Sequence, residues 1–211
     1  MELYTYYRST ASYRVRLALA LKGLDFQAVP VNLLVPKGGA NRQPEYLCIN
    51  PQGRVPALRT DEGTVLIQSL AIIEYLEECY PQVPLLSRDL LSRAHERAVA
   101  AVIGCDVHPL HNSSTQALLR DWGHDDGQVQ VWIDHWISQG LGAVEQLIGD
   151  RGFCFGEQPG LADVFLIPQL YAAERFKVPL ASYPRILRVA ALAAEHPAFQ
   201  AAHPAHQPDT P

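Results

Sequence analysis

Arg8-Ser9-Thr10-Ala11-Ser12 follows the first aromatic, β-prone stretch and sits where a helix must begin. Hydroxyls and unpaired backbone N–H groups at a helix N-terminus favour negative charge. A thiol held there loses its proton more readily. Ser9, Thr10 and Ser12 serve equally as plain helix caps. Val55-Pro56 is a second spot. Proline cannot donate to a sheet ladder and belongs at a strand start or edge. A cis bond there would turn the Val55 backbone outward to pair with an extended peptide; the commoner trans bond would make it an ordinary strand start. Gln68-Ser69 is a third: the Ser69 hydroxyl and the first N–H groups of a helix suit a carboxylate, or Ser69 is simply an N-cap. Each signal is weak by itself; their order along the chain gives them one common ligand.

His108 and His111 lie three residues apart around Pro109, with no HExxH pattern and no third ligand, so no metal is expected. Four scattered cysteines, Cys48, Cys79, Cys105 and Cys154, form no CxxC pair and read as reduced thiols.

The elements that must position these residues follow from periodicity. Glu2 to Tyr7 and Phe26 to Val31 read as strands around a helix from Ser12 to Lys22, with Gly23 as its C-cap. So short a β-α-β unit predicts a parallel pair. Pro36 to Gln43 reads as a loop, Pro44 to Ile49 as a short helix and Asn50 to Gly53 as a turn. Val55 to Thr60 and Thr64 to Ile67 form a hairpin at Asp61-Glu62-Gly63. A helix capped by Ser69 runs to about Tyr80, and two prolines mark a linker over Pro81 to Ser87. The rest is helical: a long helix from Leu90 disturbed near Gly104 and Pro109, one over Gln128 to Ile148, one over Leu161 to Phe176, and shorter pieces from Tyr183. Pro204 to Pro211 reads as extended. The pattern is α+β over 1–82, then all-α over 88–211.

The 211 residues, 48% hydrophobic and 18% charged, suffice for two small domains. A net charge of −5 argues against nucleic-acid binding by bulk charge. No apolar run approaches a membrane span, and the N-terminus lacks signal-peptide features, so the cytoplasm is expected.

STASYRVRLALALKGLDF, NPQGRVPAL and IQSLAIIEYLEECYP together resemble the zeta class of glutathione transferases. The likeness continues through DVHPLHN, LADVFLIPQ, AERFKVPLASYP and HQPDTP, and so covers essentially the whole chain. The family's opening Ser-Ser-Cys-x-Trp-Arg-Val-Arg reads here Ser9 to Arg16, with Thr10, Ala11 and Tyr13 replacing Ser, Cys and Trp. No protein thiol at position 11 can therefore be essential. Gly160 stands where the family has Thr or Ser as a helix cap, and His108 often appears there as Gln.

The resemblance implies a thioredoxin-like first domain, an all-α second domain, a cis Pro56 and a homodimer. Glutathione is the implied cofactor, with Ser9 and Thr10 at its sulfur. Val55, Pro56, Gln68, Ser69, His108 and Asn112 fall on the other glutathione positions. Arg8 and Arg175 are the expected clamps for a dicarboxylic substrate, or else surface arginines. Arg14 and Arg16 read as structural or interfacial. Zeta enzymes include the maleylacetoacetate isomerases of tyrosine and phenylalanine breakdown and the maleylpyruvate isomerases of gentisate breakdown. The first activity is the main expectation and the second the alternative. A general transferase, an α-haloacid dehalogenase and a non-catalytic binding protein are further readings.

Overall fold

A computed structural model describes residues 1–35 and 38–211; Pro36 and Lys37, which open the expected Pro36–Gln43 loop, lie outside the described residues. The chain divides into two compact units, Met1–Pro84 with Glu195–Pro211, and Leu85–Ala194. The sequence reading grouped 195–211 with the helical domain; in the structure that segment packs with the first unit.

In the first unit, β1 (Glu2–Thr5), β2 (Gln27–Pro30), β3 (Ala57–Arg59) and β4 (Val65–Ile67) form one sheet in the order β2-β1-β3-β4. β1 and β2 are parallel, connected by α1 (Thr10–Lys22); β3 is antiparallel to β1 and β4. At the β3–β4 turn, Gly63 N–H donates to Thr60 C=O (3.0 Å) and Thr60 N–H to Thr64 C=O (2.8 Å). Gly23 closes α1 at φ 66°, its N–H donating to Ala20 C=O, while Leu24 N–H reaches Leu19 C=O. A side chain at that left-handed position would be strained, which is why glycine stands there.

Strand period places Leu3 and Leu58, both fully buried, on one face of the sheet. Tyr4 and Ala57 on the other face join Tyr6, Val31, Tyr46 and Val55 in a buried cluster. α3 (Ser69–Cys79) and α9 (Pro197–Ala202) pack against α1. The buried Lys22 ammonium uses all three donors, on Glu77 Oε2 (2.6 Å), Tyr80 C=O (3.0 Å) and Val83 C=O (2.9 Å).

The C-terminal tail is not extended as the sequence suggested. It turns through a 3₁₀ segment, Pro204–His206, and Thr210 Oγ1 donates back to Pro204 C=O at 2.6 Å. Gln207 Nε2 holds the carbonyls of Ala201 and His203, and Asp209 accepts the Tyr7 N–H at 2.8 Å. Side-chain to backbone bonds of this kind replace the ladder that proline-rich chain cannot make.

The second unit contains α4 (Leu90–Ala101), α5 (Ser113–Asp121), α6 (Asp126–Leu147), α7 (Leu161–Arg175) and α8, whose last residue lies at the unit boundary (Pro184–Glu195). Its buried core includes Val99, Ile103, Ile133, Ile137, Leu141, Val164 and Phe165. The disturbance expected near Gly104 and Pro109 resolves into a π turn, Val102–Val107, followed by a 3₁₀ turn, His108–His111. Gly140 makes room for it: a Cβ there would lie 2.0 Å from Val107 Cγ2. No helix among the described residues is long and apolar enough to cross a membrane.

Candidate active site

Sheet register brings the three first-unit spots to one end of the sheet. Tyr4, near the end of β1, pairs with Ala57 at the start of β3, and Ala57 pairs with Ile67 at the end of β4. The segments just beyond those three residues are the Tyr6–Ser9 turn, Val55-Pro56 and Gln68-Ser69. The sequence separates them by some sixty residues; the antiparallel ladder cancels the distance.

Ser9 ends a β-turn in which its own N–H donates to Tyr6 C=O at 3.0 Å. It is the N-cap of α1, which therefore begins at Thr10 and not at Ser12, and its Oγ accepts the Ser12 N–H at 3.2 Å. A hydroxyl accepts through its lone pairs and still has a proton to give. Capping and donation to an anion are thus compatible roles for Ser9. Thr10 is the first helical residue and is buried. Arg8 is half-buried beside Tyr6. Burial pushes the Tyr6 hydroxyl pKa up and the Tyr7 hydroxyl adds to this, while the Arg8 charge opposes it.

Arg14 and Arg16 are scaffolding. Arg16 is buried and donates to Thr5 Oγ1 (3.0 Å), Tyr7 C=O (2.9 Å), Tyr6 C=O (3.4 Å) and Ala202 C=O (3.2 Å). Arg14 reaches Ser69 Oγ at 3.4 Å, joining α1 to the first turn of α3.

The Val55–Pro56 bond is cis. The β3 ladder begins at Ala57, so the Val55 backbone lies outside it. Tyr46 Oη and Asn50 Nδ2 both donate to Arg54 C=O at 2.7 Å and fix the chain immediately before it. Gln68, and not Ser69, is the N-cap of α3; it has φ 71° and makes no capping bond. A non-glycine residue at positive φ persists only where its surroundings impose it, and such residues cluster at ligand clamps. Its amide donates to Gln52 Oε1 at 2.6 Å. Ser69, the first helical residue, is buried against Arg14.

In the second unit, His108, His111 and Asn112 sit on the 3₁₀ turn and the start of α5. Residues three apart eclipse in a 3₁₀ helix, and the two imidazoles meet edge to face at 5.3 Å. Asn112 caps α5 through the Ser114 N–H (3.1 Å), and its amide lies 3.4 Å from His108 Nε2. His111 turns inward, is buried, and pairs with Gln169 Oε1 at 3.0 Å. Its ring meets Phe176 at 5.6 Å, and the exposed Arg175 guanidinium lies 4.7 Å from the Phe176 centroid. His108, Asn112 and Arg175 are therefore linked within one unit through His111 and Phe176. The sequence pattern raises His111 only as a metal ligand and gives no role to Phe176 or Gln169.

A hydroxyl at a helix N-terminus, backbone outside the ladder and a second helix N-terminus with an amide beside it are groups able to hydrogen-bond an anion and an extended backbone. Comparison with known proteins gives the family. Models of the glutathione S-transferase N-terminal and C-terminal domains match residues 3–84 and 132–202. The chain is 71% identical over 211 residues to the maleylacetoacetate isomerase of Pseudomonas aeruginosa, covering 100% of this chain and 99% of that protein. It is 43% identical to the maleylpyruvate isomerase of a Ralstonia species, covering all of both. A holo structure of maleyl pyruvate isomerase, a zeta-class bacterial glutathione transferase, superposes with TM-score 0.95 at 42% identity, covering all of both chains. A maleylacetoacetate isomerase from Anaeromyxobacter dehalogenans with glutathione in its active site gives TM-score 0.89 at 40% identity, over 100% of this chain and 97% of that one.

Proposed function

The chain belongs to the glutathione transferase family, in its zeta class, and from that premise we propose that it is a glutathione-dependent cis–trans isomerase of a maleyl-type keto-diacid, with maleylacetoacetate as its preferred substrate. The observation that carries the reading is the Ser9 hydroxyl, which caps α1 through its lone pairs and has its proton left to donate. The choice of substrate is supported by 71% identity to a maleylacetoacetate isomerase against 43% to a maleylpyruvate isomerase.

Glutathione, when bound, would supply a thiolate that adds to one carbon of the cis double bond, leaving a single bond that can rotate, and departs as the trans double bond re-forms. The chain's own residues do the rest. Ser9 donates a hydrogen bond to sulfur and so favours its ionised form, which the N–H groups at the start of α1 favour as well. Thr10 stands next to it in the first turn of that helix. Val55, next to Pro56, offers backbone N–H and C=O to the peptide in the manner of an added strand. Gln68 and Ser69 receive a carboxylate at the start of α3. His108 and Asn112 present donors to the peptide's thiol end, and Arg8 and Arg175 hold the substrate carboxylates. The same reading takes the protein to be a homodimer, as the family resemblance implies, working in the cytoplasm.

The test is turnover of maleylacetoacetate and maleylpyruvate, each with and without glutathione. We expect turnover only with glutathione, faster on maleylacetoacetate. Ser9→Ala is expected to lower kcat/KM about 100-fold, the usual loss on removing one donor to a developing or fixed anion. Unchanged turnover in that variant would remove Ser9 from the thiol.

A further inference from the structure

The turn that presents Ser9 is tied to distant parts of the first unit. Between Tyr6 and Ser9 its backbone closes on itself through the Ser9 N–H to Tyr6 C=O bond, 3.0 Å. Three of its backbone groups are held from outside. On one side Arg16 takes the Tyr6 and Tyr7 carbonyls. On the other, the Tyr7 N–H points at the Asp209 carboxylate, 2.8 Å away and 202 residues later in the sequence. Arg16 also holds Ala202 C=O, so both clamps lead to the same C-terminal segment. Asp209 is itself fixed: Thr210 Oγ1 bonds Pro204 C=O, Thr210 N–H bonds Gln207 C=O, and Gln207 Nε2 anchors to Ala201 and His203. The second carboxylate oxygen of Asp209, Oδ1, is closed off from solvent and meets no donor among the described residues. A carboxylate kept there at that cost points to the value of the one bond it makes.

We propose that Asp209 is a positioning residue for Ser9: by accepting the Tyr7 N–H it sets the turn that aims the Ser9 hydroxyl at the thiol. This rests on the functional reading above. A turn held at only one side would let Ser9 move by fractions of an ångström, and donation to an anion falls steeply with such displacement.

The experiment titrates the ultraviolet thiolate absorbance of glutathione on the full-length protein, with KM for glutathione and kcat measured in parallel. Asp209→Ala is compared with Asp209→Asn, which keeps an oxygen acceptor. In Asp209→Ala the thiolate midpoint should move to higher pH and KM for glutathione should rise about tenfold, the loss of one hydrogen bond to a charged group. Asp209→Asn should stay within about threefold of the native protein, because the same oxygen position still accepts. If Asp209→Ala melts below the assay temperature, Asp209→Leu, of similar size and without an acceptor, makes the same comparison. A purely structural tie would lower the melting temperature and leave the midpoint and KM unmoved; that result overturns the proposal, as does an Asp209→Asn variant as impaired as Asp209→Ala. Native protein that shows no thiolate signal with glutathione would instead overturn the functional reading itself.

Discussion

At Asp163 one buried carboxylate accepts two backbone N–H groups, from Gly160 at 2.8 Å and from Cys154 at 2.9 Å. Gly160 has no side chain with which to cap α7, so Asp163 carries the N-terminal bonding of that helix. Burial raises the Asp163 pKa, against the pull of those hydrogen bonds, and burial likewise pushes the Cys154 thiol up, helped by the neighbouring carboxylate. The sign of the pH effect follows. From the ordinary value near 3.8 up to the raised one, the folded protein keeps a proton that the unfolded chain releases, so stability falls as pH rises through that window. Asparagine cannot make this exchange, and it has one acceptor oxygen for two donors. Asp163→Asn should therefore be about 1–3 kcal/mol less stable than the native protein. The gap should narrow as pH rises through the window, read from urea midpoints at a series of pH values. A gap that widens with pH would contradict the assignment.

Among the elements, those with a local cause were legible in the sequence. The parallel β1–β2 pair follows from a short β-α-β run, the hairpin from Asp61-Glu62-Gly63, and the end of α1 from Gly23. The start of α1 was misplaced because three hydroxyls compete for the cap, and only tertiary structure selects Ser9. The three first-unit site segments were legible as one set because strand order alone brings them together. His111, Phe176 and Gln169 were not, since a helical histidine gives no local sign of facing inward. The π turn was visible only as a disturbance; its position depends on Gly140 of α6 meeting Val107. Gly140→Ala puts two effects in opposition. Alanine gains about 1 kcal/mol of helix propensity. Against this, its Cβ would lie 2.0 Å from a buried, stiff valine, and overpacking of this kind costs about 1–3 kcal/mol. The clash should win, lowering the urea midpoint and, by moving the turn that carries His108, kcat/KM as well. Adding Val107→Ala removes the offending methyl. The double variant should recover part of both losses, a coupling that a double-mutant cycle measures directly.

For the whole molecule, the point of consequence is that the first unit is discontinuous. Residues 195–211 complete it, although the family-model match for the N-terminal domain ends at residue 84. α9 packs on α1, burying Phe199 and Ala202, and Ala202 C=O receives Arg16. The tail holds the turn before Ser9. A chain of residues 1–84 alone would expose the surface that Phe199 covers, a loss of about 1.5–3 kcal/mol for that side chain. It would also leave the Arg16 guanidinium and the Tyr7 N–H each short of a partner, at about 1–3 kcal/mol apiece. Domains of this size start from only about 5–15 kcal/mol, and short chains bury a smaller share of their surface. The sum is comparable with the whole stability, so residues 1–84 alone should show native-like far-ultraviolet dichroism at most, without a cooperative thermal transition in the near ultraviolet. A synthetic peptide of residues 195–211, added in excess, should restore part of that transition, because its contacts are made to the first unit. If residues 1–84 alone melted cooperatively near the temperature of the full chain, the C-terminal segment would be an accessory to that unit and not a part of it.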